Sequence, residues 1–149
     1  MNIKKIIISC LIITLCVISC CVIDKPNDKK ETKTIDGGRI INHLEYQGEY
    51  NVTYYCACMK CCGKTNGITA SGTHAKQGRT IATSDEFEFG TKLLVEFADG
   101  SNETFTVEDR GGAIQDNRLD IYMNKHGDCL KKGRRVVNVY VIKTDYVLI

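Results

Sequence analysis

Glu49-Tyr50-Asn51-Val52-Thr53-Tyr54-Tyr55 decides the fold class, because Tyr50, Val52 and Tyr54 alternate there with Asn51, Thr53 and Tyr55. A period of two sends successive side chains to opposite faces, the pattern of a strand with one face on a core. The alternation returns in five further runs: Arg79 to Thr83, Lys92 to Phe97, Thr104 to Glu108, Leu119 to Met123 and Val136 to Ile142. Each run is rich in Val, Ile, Tyr, Phe and Thr and is bounded by Gly, Asp, Asn or Ser. Six short runs of this kind predict a small all-β barrel or sandwich. One short helix is predicted between Asn124 and Lys132, stopped by Gly133. No internal repeat or low-complexity segment is present.

Working outward, 149 residues suffice for one domain with a core and are too few for two. The first stretch, MNIKKIIISCLIITLCVISC, carries Lys4 and Lys5 ahead of an uncharged apolar run from Ile6 to Ile23. That layout predicts an export signal or a membrane anchor. Val17-Ile18-Ser19-Cys20 resembles the lipobox of bacterial lipoproteins, which implies a signal peptide over 1–19 and a lipidated Cys20. A plain anchor helix is the alternative, since about 18 apolar residues nearly span a bilayer. Either way the domain is expected on the extracellular face of the membrane, at the cell wall. Asp24 to Asn42 mixes charges, holds the only proline (Pro26) and lacks an apolar period. A flexible tether is therefore expected over 20–45 and the globular domain over 46–149.

Residues 1–19 contain two of the 20 Lys and Arg and none of the 18 Asp and Glu, so the remaining chain is formally neutral. A nucleic-acid partner ordinarily demands a basic patch, and none is evident. Of the nine cysteines, Cys10, Cys16, Cys20 and Cys21 belong to the leader, leaving Cys56, Cys58, Cys61, Cys62 and Cys129 for the domain. Outside the cell these five are compatible with disulfides, with one thiol left over. Cys56-x-Cys58-x-x-Cys61-Cys62 also offers four sulfurs for a metal, but zinc ligand pairs usually lie further apart and vicinal cysteines bind one ion awkwardly.

The densest chemistry lies in Val107-Glu108-Asp109-Arg110-Gly111-Gly112, continued by Ala113-Ile114-Gln115-Asp116-Asn117-Arg118-Leu119-Asp120-Ile121-Tyr122. The glycine pair permits positive φ angles and a close turn, allowing Asp109 and Asp120 to approach. Asp120 alternates with apolar Leu119 and Ile121, so it is expected in an external groove with Arg118 and Tyr122 beside it. A free Asp titrates near 3.9, too low to hold a proton at neutral pH; burial and a second carboxylate raise that value. Asp109 and Glu108 are candidate neighbours. Two aspartates near a turn also commonly cap it or pair with arginines such as Arg110 and Arg118.

These residues resemble the 3D, or three-aspartate, domain of bacterial cell-wall proteins, shared with membrane-bound lytic transglycosylase A and stationary-phase muralytic factors. The resemblance runs from about Val52 to Ile142. It includes Tyr55-Cys56-Ala57-Cys58-Met59-Lys60-Cys61-Cys62-Gly63, Gly67-Ile68-Thr69-Ala70-Ser71-Gly72-Thr73 and Gly78-Arg79-Thr80-Ile81-Ala82. It continues through Phe89-Gly90-Thr91-Lys92, the Glu108 to Tyr122 segment and Lys132-Gly133-Arg134. The family fold it implies is a six-stranded double-psi β-barrel. The activity it implies is cleavage of the MurNAc–GlcNAc bond of peptidoglycan with formation of 1,6-anhydro-MurNAc, without a cofactor. One carboxyl group then serves as acid and base, whereas ordinary glycosidases use two.

Carried over residue by residue, the family's catalytic aspartate falls on Asp120 and its supporting aspartate on Asp109. The third departs from the pattern: the family's Ala-x-Asp-Pro appears here as Ala82-Thr83-Ser84-Asp85-Glu86-Phe87, shorter and without proline. Asp85 or Ser84 would take its place. Asp116 stands where relatives commonly carry glycine. The resemblance also favours disulfides over metal for the cysteine block, with no pairing implied and Cys129 a partner or the leftover thiol.

Thr69, Ser71 and Thr73 in the Gly-flanked loop are candidates for hydroxyl contact with sugar, against plain turn chemistry. Tyr54, Tyr55 and Tyr122 offer stacking faces or packing. His74 and His126 sit singly in polar stretches and receive no role. Two rival readings stand beside the enzyme: a non-catalytic, expansin-like peptidoglycan-binding module, and a metal- or redox-active surface protein built on the cysteines.

Overall fold

The computed structural model describes residues 30–35, 38–115 and 117–148. The leader with Cys20, and Asp116, lie outside the described residues. Within them the order is β1 (Lys30–Ile35), β2 (Gly38–Tyr55), α1 (Met59–Cys62), β3 (Thr80–Thr83), β4 (Lys92–Phe97) and β5 (Asn102–Arg110). Then follow β6 (Arg118–Tyr122), α2 (His126–Lys132) and β7 (Arg135–Leu148). All six predicted runs are strands, and the predicted helix is α2, closed by Gly133, whose N–H bonds the Cys129 carbonyl.

Six strands close on themselves in the order β2-β6-β3-β5-β4-β7, with β7 returning to β2. The β2–β6 and β3–β5 pairs are parallel and the rest of the ring is antiparallel. This is the six-stranded closed barrel expected of the chain. Closure satisfies every edge of the ring with a neighbour. β1 lies outside it, paired antiparallel to the start of β2.

The alternation in sequence becomes alternation in burial. Along β4, Leu93, Val95 and Phe97 are buried while Lys92, Leu94 and Glu96 are less so. Leu119 and Ile121 of β6, Val52 of β2, Ile81 of β3, Val107 of β5 and Val139 of β7 meet in the same interior. Fully burying each such side chain contributes about 1.5–3 kcal/mol. The complementary face of β2 and β6, with Thr53 beside Asp120 and Tyr55 beside Tyr122 in register, is left on the outer wall.

The tether expected over 20–45 is strand from Lys30 onward, with only Asp36 and Gly37 between β1 and β2 undescribed. Gly38 to Tyr46 pairs with Leu148 to Tyr140 of β7. A partner about a hundred residues away leaves no trace in local composition, which is why this ladder escapes a reading based on charge mixture. A bulge at Gly48, with φ of 127°, shifts the register between Tyr46 and Gly48. Such a bulge bends a long strand, here between the outer ribbon and the barrel wall.

Candidate active site

Ala82 organises the site. In β3 it pairs with Asp109 of β5 on one side and Asp120 of β6 on the other. The two aspartates therefore stand two strands apart, roughly 10 Å between Cα atoms, with a methyl group between them. The expected route, a positive-φ turn at Gly111-Gly112, is not the one taken. Neither glycine has a positive φ; the left-handed residue of this loop is Asn117, at φ 58°. Gly111 is required for another reason: an added Cβ would lie 2.9 Å from Cδ1 and Cγ1 of Ile114. Gly111→Ala should thus push Ile114 aside and lower stability by about 1 kcal/mol, read by chemical denaturation.

Above Ala82 lies an open trough of about 380 Å³, lined by Asp120, Asp109, Tyr55, Lys64, Ala70 and the 111–114 loop, with Arg110, Cys61 and Cys62 at its walls. Burial raises the Asp120 carboxyl to about 6, against weaker opposing effects from Thr53 and Arg118, and Asp109 adds to the rise. Among the described residues its Oδ1 is buried without a hydrogen-bond partner. An unpartnered carboxyl oxygen in a low-dielectric wall favours the protonated form.

Asp109 has the opposite environment. Its Oδ1 accepts the Ala70 N–H at 2.8 Å and the Arg110 N–H at 2.9 Å, and its Oδ2 accepts the Tyr55 hydroxyl at 2.7 Å. Three donors fix it as an anchor. Burial and the bond to Asp109 drive the Tyr55 phenol far above its ordinary pKa, so it remains a donor. Tyr55→Phe should remove one of the three bonds and cost about 1.5 kcal/mol of unfolding free energy, measured by denaturant titration.

The 67–73 loop holds its shape through its own hydroxyls. Thr69 Oγ1 lies 2.9 Å from Thr73 Oγ1 and 3.1 Å from Ser71 Oγ, and bonds the Thr73 carbonyl. Thr69 is buried. Of the two readings for Thr69, Ser71 and Thr73, the geometry realises the turn chemistry, and the loop's contribution to the trough is the backbone N–H of Ala70. Ser71 N–H also bonds the Glu108 carbonyl, sewing the loop to β5.

The remaining predicted residues surround the trough. Arg118 bonds the Ala113 carbonyl at 3.1 Å and so supports the 111–114 loop. Tyr122 is buried and packs edge-on against Tyr55, ring centroids 5.4 Å apart. Glu108 is turned to Arg79 and Thr80. Asp85 is exposed and lines no part of the trough, while Ser84 is buried. Arg110, which follows Asp109 in β5, bonds the Thr83 hydroxyl and the Phe87 carbonyl and covers the Phe89 ring at 4.1 Å. From sequence, Arg110 is expected only as an ion-pair partner. Its position directly after a trough aspartate was the available signal.

Cys56, Cys58, Cys61, Cys62 and Cys129, the disulfide candidates, are all free thiols in this structure. Cys62 bonds the Cys56 carbonyl and Cys129 the Lys125 carbonyl. Cys56, Cys58 and Cys61 instead gather around His126, a residue the sequence reading left without a role.

Residues 79–143 match the profile of the 3D domain. The matched segment runs from the approach to β3 into β7 and contains Ala82, Asp109 and Asp120. Among solved structures, MltA from E. coli is similar at 24% identity, over 52% of this chain and 28% of that one, with a TM-score of 0.46. E. coli MltA with bound chitohexaose gives 21% identity over 51% and 27%, with a TM-score of 0.47. A membrane-bound lytic murein transglycosylase from Agrobacterium tumefaciens gives 21% over 55% and 26%, with a TM-score of 0.42. The chain thus spans little more than a quarter of the length of these structures. No curated protein sequence matches it.

Proposed function

We propose that this 3D-domain chain is a peptidoglycan lytic transglycosylase in which Asp120 is the single acid and base. The observation that carries the reading is the Asp120 carboxyl itself, raised to about 6 and facing an open trough with one oxygen unpartnered. Asp109 is held by three donors and Glu108 by Arg79, so neither is free to take a second chemical role. A hydrolase of the ordinary kind needs a second carboxylate acting on water or the anomeric carbon.

In the proposed reaction the MurNAc–GlcNAc bond lies across the trough. Asp120 gives its proton to the glycosidic oxygen as the C1–O bond breaks. The resulting carboxylate then takes the proton of the muramyl C6 hydroxyl as O6 bonds C1. The product is 1,6-anhydro-MurNAc; no water is consumed and Asp120 ends protonated as it began. The partner is the glycan strand, and we place the domain outside the membrane, tethered through its N-terminal segment, where that substrate lies.

Mass spectrometry of purified peptidoglycan incubated with the protein tests this. Anhydro-muropeptides produced by wild type and absent with Asp120→Asn are the expected result. Binding to peptidoglycan with no new chain ends would replace the enzyme by the expansin-like module.

A further inference from the structure

We propose that Cys56, Cys58, Cys61 and His126 form a tetrahedral zinc site. Among the described residues these four donors lie within 4.8 Å of one another. Cys56 Sγ and Cys61 Sγ are 3.7 Å apart, and His126 Nδ1 lies 3.8, 3.7 and 3.3 Å from the sulfurs of Cys56, Cys58 and Cys61. A tetrahedron built on Zn–S of about 2.3 Å and Zn–N of about 2.0–2.1 Å has S···S edges of about 3.8 Å and S···N edges of about 3.6 Å. These four edges lie within about 0.3 Å of those lengths. A disulfide requires sulfurs at about 2.0 Å. Pairing Cys56 with Cys61 would also leave Cys58 and His126 grouped for no purpose.

The chemistry selects the ion. Three thiolates and an imidazole are soft and borderline ligands, suited to zinc and unsuited to magnesium or calcium. Four protein donors fill the tetrahedron, which makes the site structural. The Cys61 backbone N–H points at Cys58 Sγ at 3.4 Å, the kind of outer contact that supports a metal-bound thiolate. The objection from sequence, that vicinal Cys61 and Cys62 crowd one ion, disappears because Cys62 turns away to the Cys56 carbonyl and the fourth ligand comes from α2, 65 residues beyond Cys61.

The site would clip the start of α2 to the segment following β2. That segment continues into Cys62 and Lys64 on the trough wall. The ion would therefore hold one wall of the trough without entering the chemistry.

Full-length protein purified without chelator is expected to carry one zinc per chain by elemental mass spectrometry. Cobalt substitution should give thiolate charge-transfer bands and the intense visible bands of a tetrahedral ion. Cys58→Ser and His126→Ala should each weaken zinc at least tenfold in competition with a chromophoric chelator, while Cys62→Ser keeps wild-type stoichiometry. If those variants fail to fold, the wild-type cobalt spectrum decides. No cobalt binding, or weak octahedral bands, overturns the proposal. So does zinc retained equally by both variants, or a metal-free chain with a Cys56–Cys61 disulfide after alkylation at lysis.

Discussion

Under the proposed reaction, replacing Asp120 by asparagine should lower glycan cleavage by about three orders of magnitude and leave a chain more stable than its parent at neutral pH. The loss would follow from removing the group proposed to deliver and recover the proton, an effect of about 10²–10⁴ in rate. The gain follows from the same burial that makes the residue reactive. A carboxyl moved from 3.8 to about 6 in the folded state disfavours its ionised form there. Stability associated with it is fully present below pH 3.8 and is lost as pH rises through about 6. Above that, the penalty is constant, and two pKa units correspond to about 3 kcal/mol. Asparagine removes the charge but keeps polar atoms in an unpartnered site, so a gain of about 1–2 kcal/mol is expected at pH 7. Denaturation across pH checks this: the parent loses stability between about pH 4 and 6 through this group, and the variant lacks that component. Activity has the matching signature. In the proposed reaction the acid form begins the cycle, so kcat/KM of the parent should fall tenfold per pH unit above about 6. A variant that cleaves normally, or a parent whose rate holds flat to pH 8, removes Asp120 from the mechanism.

The barrel runs were legible through alternation, a signal local in sequence and cleanest in β4, where buried Leu93, Val95 and Phe97 alternate with less buried neighbours. Asp120 was legible for the same reason, its place between Leu119 and Ile121 setting its face. What escaped were features decided by distant partners. The β2–β7 ribbon joins Gly38 to Leu148, and no composition window sees both. Asp109 and Asp120 meet across Ala82 of a strand inserted between theirs, so a direct fold-back at Gly111-Gly112 was the wrong geometry for the right juxtaposition. His126 reaches the cysteines only because α2 follows β6, and β6 runs parallel to β2, so that their ends coincide. The loop hydroxyls of Thr69, Ser71 and Thr73 were chemically eligible for sugar contact, yet three hydroxyls spaced two apart in a tight loop satisfy one another first.

Asp109→Ala separates positioning from chemistry at the second aspartate. It strands the Tyr55 hydroxyl and the N–H groups of Ala70 and Arg110, and a loss of about 3 kcal/mol is expected from three such bonds. The 67–73 loop then loses its link to the Asp109 side chain, while its backbone bond to Glu108 remains. A wall displaced by about an ångström reduces turnover about 100-fold. The charge removed also matters, because Asp109 contributes to raising the Asp120 carboxyl. The alkaline fall in activity should therefore begin at lower pH in the variant. Asp109→Asn keeps one acceptor oxygen in place and should be milder on both counts, about tenfold in rate with roughly half the stability loss. These two variants rank together in rate and stability only if Asp109 acts by holding the trough in shape. Should Asp109→Asn fall as far as Asp120→Asn while its stability stays intact, Asp109 would be a reacting carboxylate, and the single-acid mechanism would give way to a two-carboxylate one.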